Sequence, residues 1–163
     1  MAEKKKIIMI DDEVDLCLLV KSNLEDTGEF TVITISDPEG AAAVCRREVP
    51  DLILLDIVMP KIQGVEIVRM LKRFEETKKI PIIVISGLGE IVYFKKQGKW
   101  KWLPNRPVVI NRGEIIHERD PQKAATAYGV ESYITKPFTT EGLFEVIREV
   151  LRNKASESED SPG

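Results

Sequence analysis

The chain has 163 residues, which is enough for one domain with a hydrophobic core and short for two. Hydrophobic residues make up 43% and charged residues 31%, with a formal net charge of −3, a balance typical of globular proteins that does not suggest polyanion binding. The sequence contains no recognisable signal peptide and no apolar stretch long enough to span a bilayer, so we expect a cytoplasmic protein without membrane insertion.

Short apolar runs alternate with amphipathic patterns along most of the chain. The predicted strands are Lys6–Ile10, Phe30–Ile35, Leu52–Asp56, Pro81–Ser86 and Ser132–Thr135. The predicted helices are about Glu13–Thr27, Asp37–Glu48, Gly64–Glu76, Gln122–Tyr128 and Thr139–Arg152. Asp37 followed by Pro38 indicates a helix N-cap with proline in the first turn. Consecutive apolar positions indicate strands covered on both faces, and the alternation predicts an α/β fold with a doubly wound, five-stranded parallel sheet.

The remaining polar and apolar features fit this outline. Residues 153–163 are rich in Ser, Glu and Asp, which predicts a flexible acidic tail. Cys17 and Cys45 fall within apolar helical patterns, so we expect buried, reduced thiols rather than a disulfide.

Three carboxylates follow two of the predicted strands. Asp11 and Asp12 come after the first strand, and Asp56 ends the third. The carboxyl ends of parallel strands lie at the edge of a sheet where ligands bind, and clustered carboxylates repel one another unless a cation lies among them. The sequence therefore predicts a divalent-metal pocket. Ser86 and Lys136 end the fourth and fifth strands, and this set of groups suits a phosphoryl group on an aspartate.

Four stretches at these strand ends, taken in order, resemble the receiver domain of two-component response regulators. They are Ile8–Glu13, Leu54–Pro60 together with Gly64, Val84–Gly87 and Tyr133–Phe138. The resemblance implies a receiver domain over residues 4–152, with a flavodoxin-like fold and the strand order 2-1-3-4-5. We expect Gly64 to serve the backbone geometry at its helix start rather than the chemistry.

The resemblance also implies a role for each site residue. Asp56 would accept a phosphoryl group from a histidine kinase or phosphotransfer protein. Asp12, Asp56 and the backbone carbonyl of Val58 would bind Mg²⁺ directly, and Asp11 would act through a bound water. Lys136 would pair with the phosphoryl group or the acceptor carboxylate.

Two further residues would form the switch. Ser86 would move toward the phosphoryl group, and Tyr133 would turn inward when it does. The peptide bond between Lys136 and Pro137 is usually cis in such domains. We expect no enzymatic activity beyond phosphoryl acceptance and self-dephosphorylation, because an aspartate-phosphatase would need an acid where Val58 stands.

The interval from Ser86 to Lys136 is longer than the family pattern needs, which indicates an insertion at about residues 89–118. Two hairpins are predicted there: Val92–Lys96 with Lys99–Leu103, and Pro107–Ile110 with Glu114–His117. The insertion is basic in its first part and contains Trp100, Trp102 and Arg106, residue types that often anchor protein interfaces.

Three interpretations of this insertion stay open. It could bind a protein partner, it could hold single-stranded nucleic acid or another acidic surface, or its tryptophans could form a small core of their own. Since no output domain is recognisable after Arg152, we expect output through a downstream protein target or through onward transfer of the phosphoryl group, and not through nucleic acid. The alternative function is a binding module that acts through its insertion independently of phosphorylation.

Overall fold

The computed structural model describes residues 2–57, 59, 64–86, 89–94, 99–104, 115–118 and 129–160. Its strands are β1 (Lys5–Ile10), β2 (Phe30–Ile35), β3 (Leu52–Asp56), β4 (Ile82–Ser86), β5 (Gly89–Phe94), β6 (Lys99–Pro104), β7 (Ile115–Glu118) and β8 (Ser132–Thr135). Its helices in these ranges are α1 (Val14–Asp26), α2 (Ala41–Glu48), α3 (Gly64–Arg73) and α4 (Thr140–Asp160). The predicted helix at about Gln122–Tyr128 lies outside the described residues.

Five parallel strands form the central sheet in the order β2-β1-β3-β4-β8. Because β8 is the fifth strand of this sheet, the predicted order 2-1-3-4-5 and the α/β fold class are confirmed. The predicted strand limits agree with the structure to within one residue.

Both faces of the sheet are buried, which explains why its strands are apolar at consecutive positions. Ile8 and Ile53 belong to one hydrophobic cluster, and Ile7 and Leu52 belong to the cluster on the opposite face. Successive side chains of a strand point to opposite faces, so a strand covered on both sides needs apolar residues at every position.

The start of α2 was predicted wrongly. The helix begins at Ala41, with Gly40 before it in a left-handed conformation, and not at Asp37. The Asp37 carboxylate accepts a hydrogen bond of 3.0 Å from the backbone N–H of Glu39, and the Ala41 N–H donates to the carbonyl of Pro38. Asp37 therefore organises a turn ahead of the helix, a local use of an aspartate that competes with N-capping.

Two helix ends also differ from the prediction. α3 ends at Arg73 rather than Glu76, and the buried hydroxyl of Thr77 donates a 2.7 Å hydrogen bond to the carbonyl of Leu71 near that end. α4 runs to Asp160, past the predicted end at Arg152. The segment predicted to be a tail is therefore helical through Asp160. It contains neither glycine nor proline up to that point, and its lysine, alanine and glutamates have high helix propensity.

The two cysteines are free and buried, as predicted. Burial raises the pKa of Cys45 to about 12, so this thiol stays protonated at neutral pH. Of the helices in the described ranges, none has the length and hydropathy that a membrane span requires.

Between β4 and β8, three antiparallel strands form a second sheet in the order β6-β5-β7, called here the insert sheet. The pairing of β5 with β6 confirms the first predicted hairpin, with its first strand beginning at Gly89 instead of Val92. β7 pairs with β5, which was not predicted. The partner predicted for β7, Pro107–Ile110, lies outside the described residues.

Candidate functional site

The three aspartates meet at the carboxyl edge of the central sheet. Asp11 and Asp12 follow β1, and Asp56 ends the neighbouring strand β3, where Ile10 is paired with Leu55. One carboxylate oxygen from each aspartate lies within 4.8 Å of the others. Asp11 and Asp56 are buried, whereas Asp12 is exposed and gives the cluster a solvent-facing side. The predicted acid cluster is therefore present.

Lys136 reaches this cluster from the end of β8. Its Nζ lies 2.9 Å from Asp11 Oδ2 and 3.7 Å from Asp56 Oδ2. Burial lowers the pKa of Lys136, but hydrogen bonds to Glu13 and Asp11 and the charge of Asp56 outweigh it and hold the pKa above its ordinary value. The ammonium is therefore permanently charged beside the acids. The Lys136–Pro137 peptide bond is cis, as expected from the resemblance.

Protein donors engage both oxygens of Asp11. The backbone N–H of Glu13 donates to Oδ1 at 2.9 Å, and Lys136 donates to Oδ2. Beneath them, the Cys17 thiol donates to the Asp11 carbonyl at 3.3 Å. Burial and the negative charge of Asp11 raise the pKa of Cys17 to about 11, so the thiol is a neutral packing group and not a nucleophile.

Glu13 is a site residue that sequence reasoning missed. Its Oε1 lies 2.8 Å from Lys136 Nζ, a shorter distance than either aspartate makes with the same ammonium. The available signal was its place two residues after Asp11, where the chain turns from β1 into α1 and brings the side chain back toward the sheet edge.

Gly64 packs against the backbone that carries Asp56. A Cβ atom at this position would lie 2.6 Å from the carbonyl oxygen of Asp56 and 2.6 Å from the Cα of Ile57. The Gly64 N–H also donates a 3.1 Å hydrogen bond to the carbonyl of Ile57. The start of α3 thus approaches the end of β3 more closely than any side chain would permit, in keeping with the backbone role expected for Gly64.

Four of the other predicted site residues lie on strands of the two sheets. Ser86 ends β4 with its backbone paired to Thr135. Tyr133 is buried in the core cluster that also contains Ile10 and Leu55. Trp100 and Trp102 lie on β6, paired with Tyr93 and Ile91 of β5. Val58 and Arg106 lie outside the described residues.

The donor set of the cluster fits a hard divalent cation. Carboxylate oxygens are the ligands that Mg²⁺ and Ca²⁺ take in proteins, and Mg²⁺ commonly keeps several waters while binding one or two carboxylates. Among the described residues, Lys136 is paired with Asp11, Glu13 and Asp56, and Asp12 adds a further carboxylate to the cluster, so negative charge is in excess and a cation could balance it.

Comparison with known proteins shows which family the chain belongs to. The family model "Response regulator receiver domain" matches residues 7–99, more than half of the chain. Among curated proteins, the chain is 28% identical over 152 residues to the phosphate regulon transcriptional regulatory protein PhoB of Rhizobium meliloti, covering 93% of this chain and 54% of that protein. It is 29% identical over 147 residues to the DNA-binding dual master transcriptional regulator RpaA of Synechocystis, covering 90% of this chain and 49% of that protein.

Solved structures show the same fold. A CheY-like response regulator receiver domain protein from Methanospirillum hungatei has a TM-score of 0.68 at 20% identity, covering 95% of this chain and 99% of the other. CheY4 of Vibrio cholerae has a TM-score of 0.65 at 23% identity, covering 91% and 99%. The chain spans about half the length of the curated relatives it matches, so their names describe those proteins as wholes. The sequence match and the shared fold show that the chain belongs to the response regulator receiver domain family.

Proposed function

We propose that Asp56 accepts a phosphoryl group from a histidine kinase or phosphotransfer protein and that Mg²⁺ assists. The observation that carries the proposal is the set of charged groups around the buried Asp56 side chain. This side chain is 5% exposed, lies among the carboxylates of Asp11 and Asp12, and has the ammonium of Lys136 at 3.7 Å. A nucleophilic carboxylate beside a fixed cation suits phosphoryl transfer, which depends mainly on positioning and charge stabilisation.

The transfer itself is a displacement at phosphorus. One Asp56 oxygen forms a bond to phosphorus while the bond from phosphorus to the donor breaks, and the leaving group keeps that electron pair and takes up a proton. Asp12, Asp56 and the carbonyl of Val58 would hold Mg²⁺, with Asp11 acting through water. When bound, Mg²⁺ would neutralise charge on the phosphoryl oxygens. Lys136, whose Nζ lies 3.7 Å from Asp56 Oδ2, would contribute a second positive charge.

The switch that follows is part of the same proposal. Ser86 ends β4 opposite Thr135 at the end of the adjacent strand β8, and Tyr133 lies earlier on β8, paired with Val84. A phosphoryl group on Asp56 adds charge and acceptor oxygens next to this pair of strand ends. We expect Ser86 to move toward those oxygens. Tyr133, which the resemblance led us to expect would turn inward when Ser86 moves, is already buried here and would stay inward. The switched surface would then contact a downstream protein target.

Mg²⁺ dependence is the first test of this function. With acetyl phosphate and Mg²⁺, we expect intact-mass spectra to show one phosphoryl adduct. With EDTA in place of Mg²⁺, the adduct should fall to background, because Asp11, Asp12 and Asp56 would repel an incoming phosphoryl group. Equal adduct formation with and without EDTA would contradict the assigned role of the acid cluster.

The insert sheet offers a separate readout of the switch. Both tryptophans of the chain, Trp100 and Trp102, lie on β6, so tryptophan fluorescence reports on the insert sheet alone. β5 begins at Gly89, close in sequence to Ser86 at the end of β4. We therefore expect the phosphoryl mimic beryllofluoride, added with Mg²⁺, to shift the emission spectrum of the wild type.

Asp56→Asn is the control for this fluorescence measurement, and its spectrum should stay unchanged. If the wild-type spectrum is unchanged under conditions where the intact mass shows phosphorylation, the insert sheet does not respond to the switch. That result would favour the alternative in which the insertion binds its partner independently of phosphorylation.

A further inference from the structure

The contacts of Lys136 differ among the three carboxylates around it. Its Nζ lies 2.8 Å from Glu13 Oε1 and 2.9 Å from Asp11 Oδ2, both within hydrogen-bonding distance. The 3.7 Å distance to Asp56 Oδ2 exceeds that range and is an ion pair without a hydrogen bond. The ammonium is therefore drawn to the α1 side of the site and away from the proposed acceptor.

Glu13 and Asp11 differ in how strongly their burial requires an ion-pair partner. The Asp11 side chain is almost fully buried and requires a partner, whereas the Glu13 side chain is 61% exposed and water could solvate it. Glu13 precedes α1, and within the described part of the chain its side chain makes no capping hydrogen bond to that helix. The contact with Lys136 is thus the interaction through which the Glu13 carboxylate acts on the site.

We propose that Glu13 is a positioning residue that holds the Lys136 ammonium away from Asp56 and competes with the phosphoryl group for it. This inference rests on the proposed function, in which Lys136 pairs with the phosphoryl oxygens. A phosphoryl group on Asp56 has to draw the ammonium from Glu13, and the free energy of breaking that contact opposes the phosphorylated state. Glu13 thereby sets how readily the domain holds a phosphoryl group.

The exposure of Lys136 and Glu13 sets the expected size of the change in affinity. The Lys136 side chain is 15% exposed and that of Glu13 is largely exposed, so solvent screens the pair. Removing a partly screened ion pair changes an equilibrium by about two- to fivefold. The effect is accordingly modest and requires a matched control.

The test is Glu13→Gln, which removes the charge and keeps the length of the side chain. We would measure two affinities by calorimetry: that for Mg²⁺ alone, and that for beryllofluoride at saturating Mg²⁺. We expect beryllofluoride to bind about two- to fivefold more tightly than in the wild type, and Mg²⁺ no more tightly, because one carboxylate is gone. A merely structural disturbance would weaken both affinities together.

Asp15→Asn is the matched control. Asp15 lies in the first turn of α1 and is not among the carboxylates that contact Lys136 in the described residues. The variant makes the same change in net charge two residues away, so a general charge effect would appear in both proteins. A gain in beryllofluoride affinity that is seen in Glu13→Gln and not in Asp15→Asn supports the proposal that Glu13 holds Lys136 away from Asp56.

Two results would overturn the inference, and they are distinguishable. If the wild type binds beryllofluoride and Glu13→Gln binds it equally or more weakly, Glu13 does not compete for Lys136, and the proposed function stands. If the wild type binds none in the presence of Mg²⁺, the proposed function fails and this inference fails with it.

Discussion

Asp56→Asn is expected to abolish phosphorylation. The amide has nearly the same shape as the carboxylate but carries no anionic nucleophile, so the adduct formed with acetyl phosphate and Mg²⁺ should fall to background in intact-mass spectra. Asp56 lies at the end of β3 with its backbone paired to Ile85, and the substitution leaves that pairing intact. The variant should therefore remain folded.

Asp15→Asn serves as the control, because it removes an exposed carboxylate near the site without touching the acid cluster. It should form the adduct as the wild type does. An adduct of equal yield on Asp56→Asn would place the phosphoryl group elsewhere and contradict the proposed acceptor. Circular dichroism on all three proteins would show that the comparison is made between folded chains.

Gly64→Ala is expected to have the second large effect, on stability and on the site together. The added Cβ would meet two backbone atoms at 2.6 Å, and backbone cannot swing aside as a side chain can. Overpacking of this kind costs about 1–3 kcal/mol in the free energy of unfolding. We expect a loss of that size in urea unfolding, although alanine is otherwise the better helix former.

The same substitution should slow phosphorylation, because the atoms displaced belong to Asp56 and Ile57. Arg69→Ala, an exposed change in the middle of α3, is the control and should alter stability by less than about 0.5 kcal/mol. Wild-type stability and wild-type adduct formation in Gly64→Ala would show that α3 can shift away from β3 without consequence.

The site also joins parts of the chain that the family model does not span. The match ends at residue 99, within β6, whereas Lys136 follows β8. The pairing of β4 with β8 returns the chain to the central sheet after the insert sheet. This pairing places Lys136 at the acid cluster. The insert sheet between β4 and β8 therefore leaves the carboxyl edge of the central sheet intact.

Local sequence patterns were sufficient for the strands and for the acid cluster. Runs such as Leu52–Leu55 are apolar at every position because both faces of a parallel sheet are covered, and this signal predicted the strand limits closely. Asp11, Asp12 and Asp56 come together because parallel neighbours end at one edge, so their positions after two strands were enough to predict the cluster.

Helix ends were harder to predict from the sequence. Asp37 has the residue type of an N-cap, but its carboxylate closes a turn instead, and α2 begins four residues later. At the other end of the chain, residues 153–160 are polar enough to suggest a solvated tail, yet they continue α4. In both places the residue types suit two local conformations, and the composition does not distinguish between them.

Contacts between distant segments were decided by the tertiary structure. β7 pairs with β5 across an intervening strand, while the sequence pattern had suggested a neighbour in the chain. Glu13 and Lys136 are 123 positions apart, and each alone resembles a surface charge. Sequence patterns report the environment of each residue along its own strand or helix. Which side chains meet across the sheet edge depends on the order and register of the strands, and these are set by packing of the whole domain.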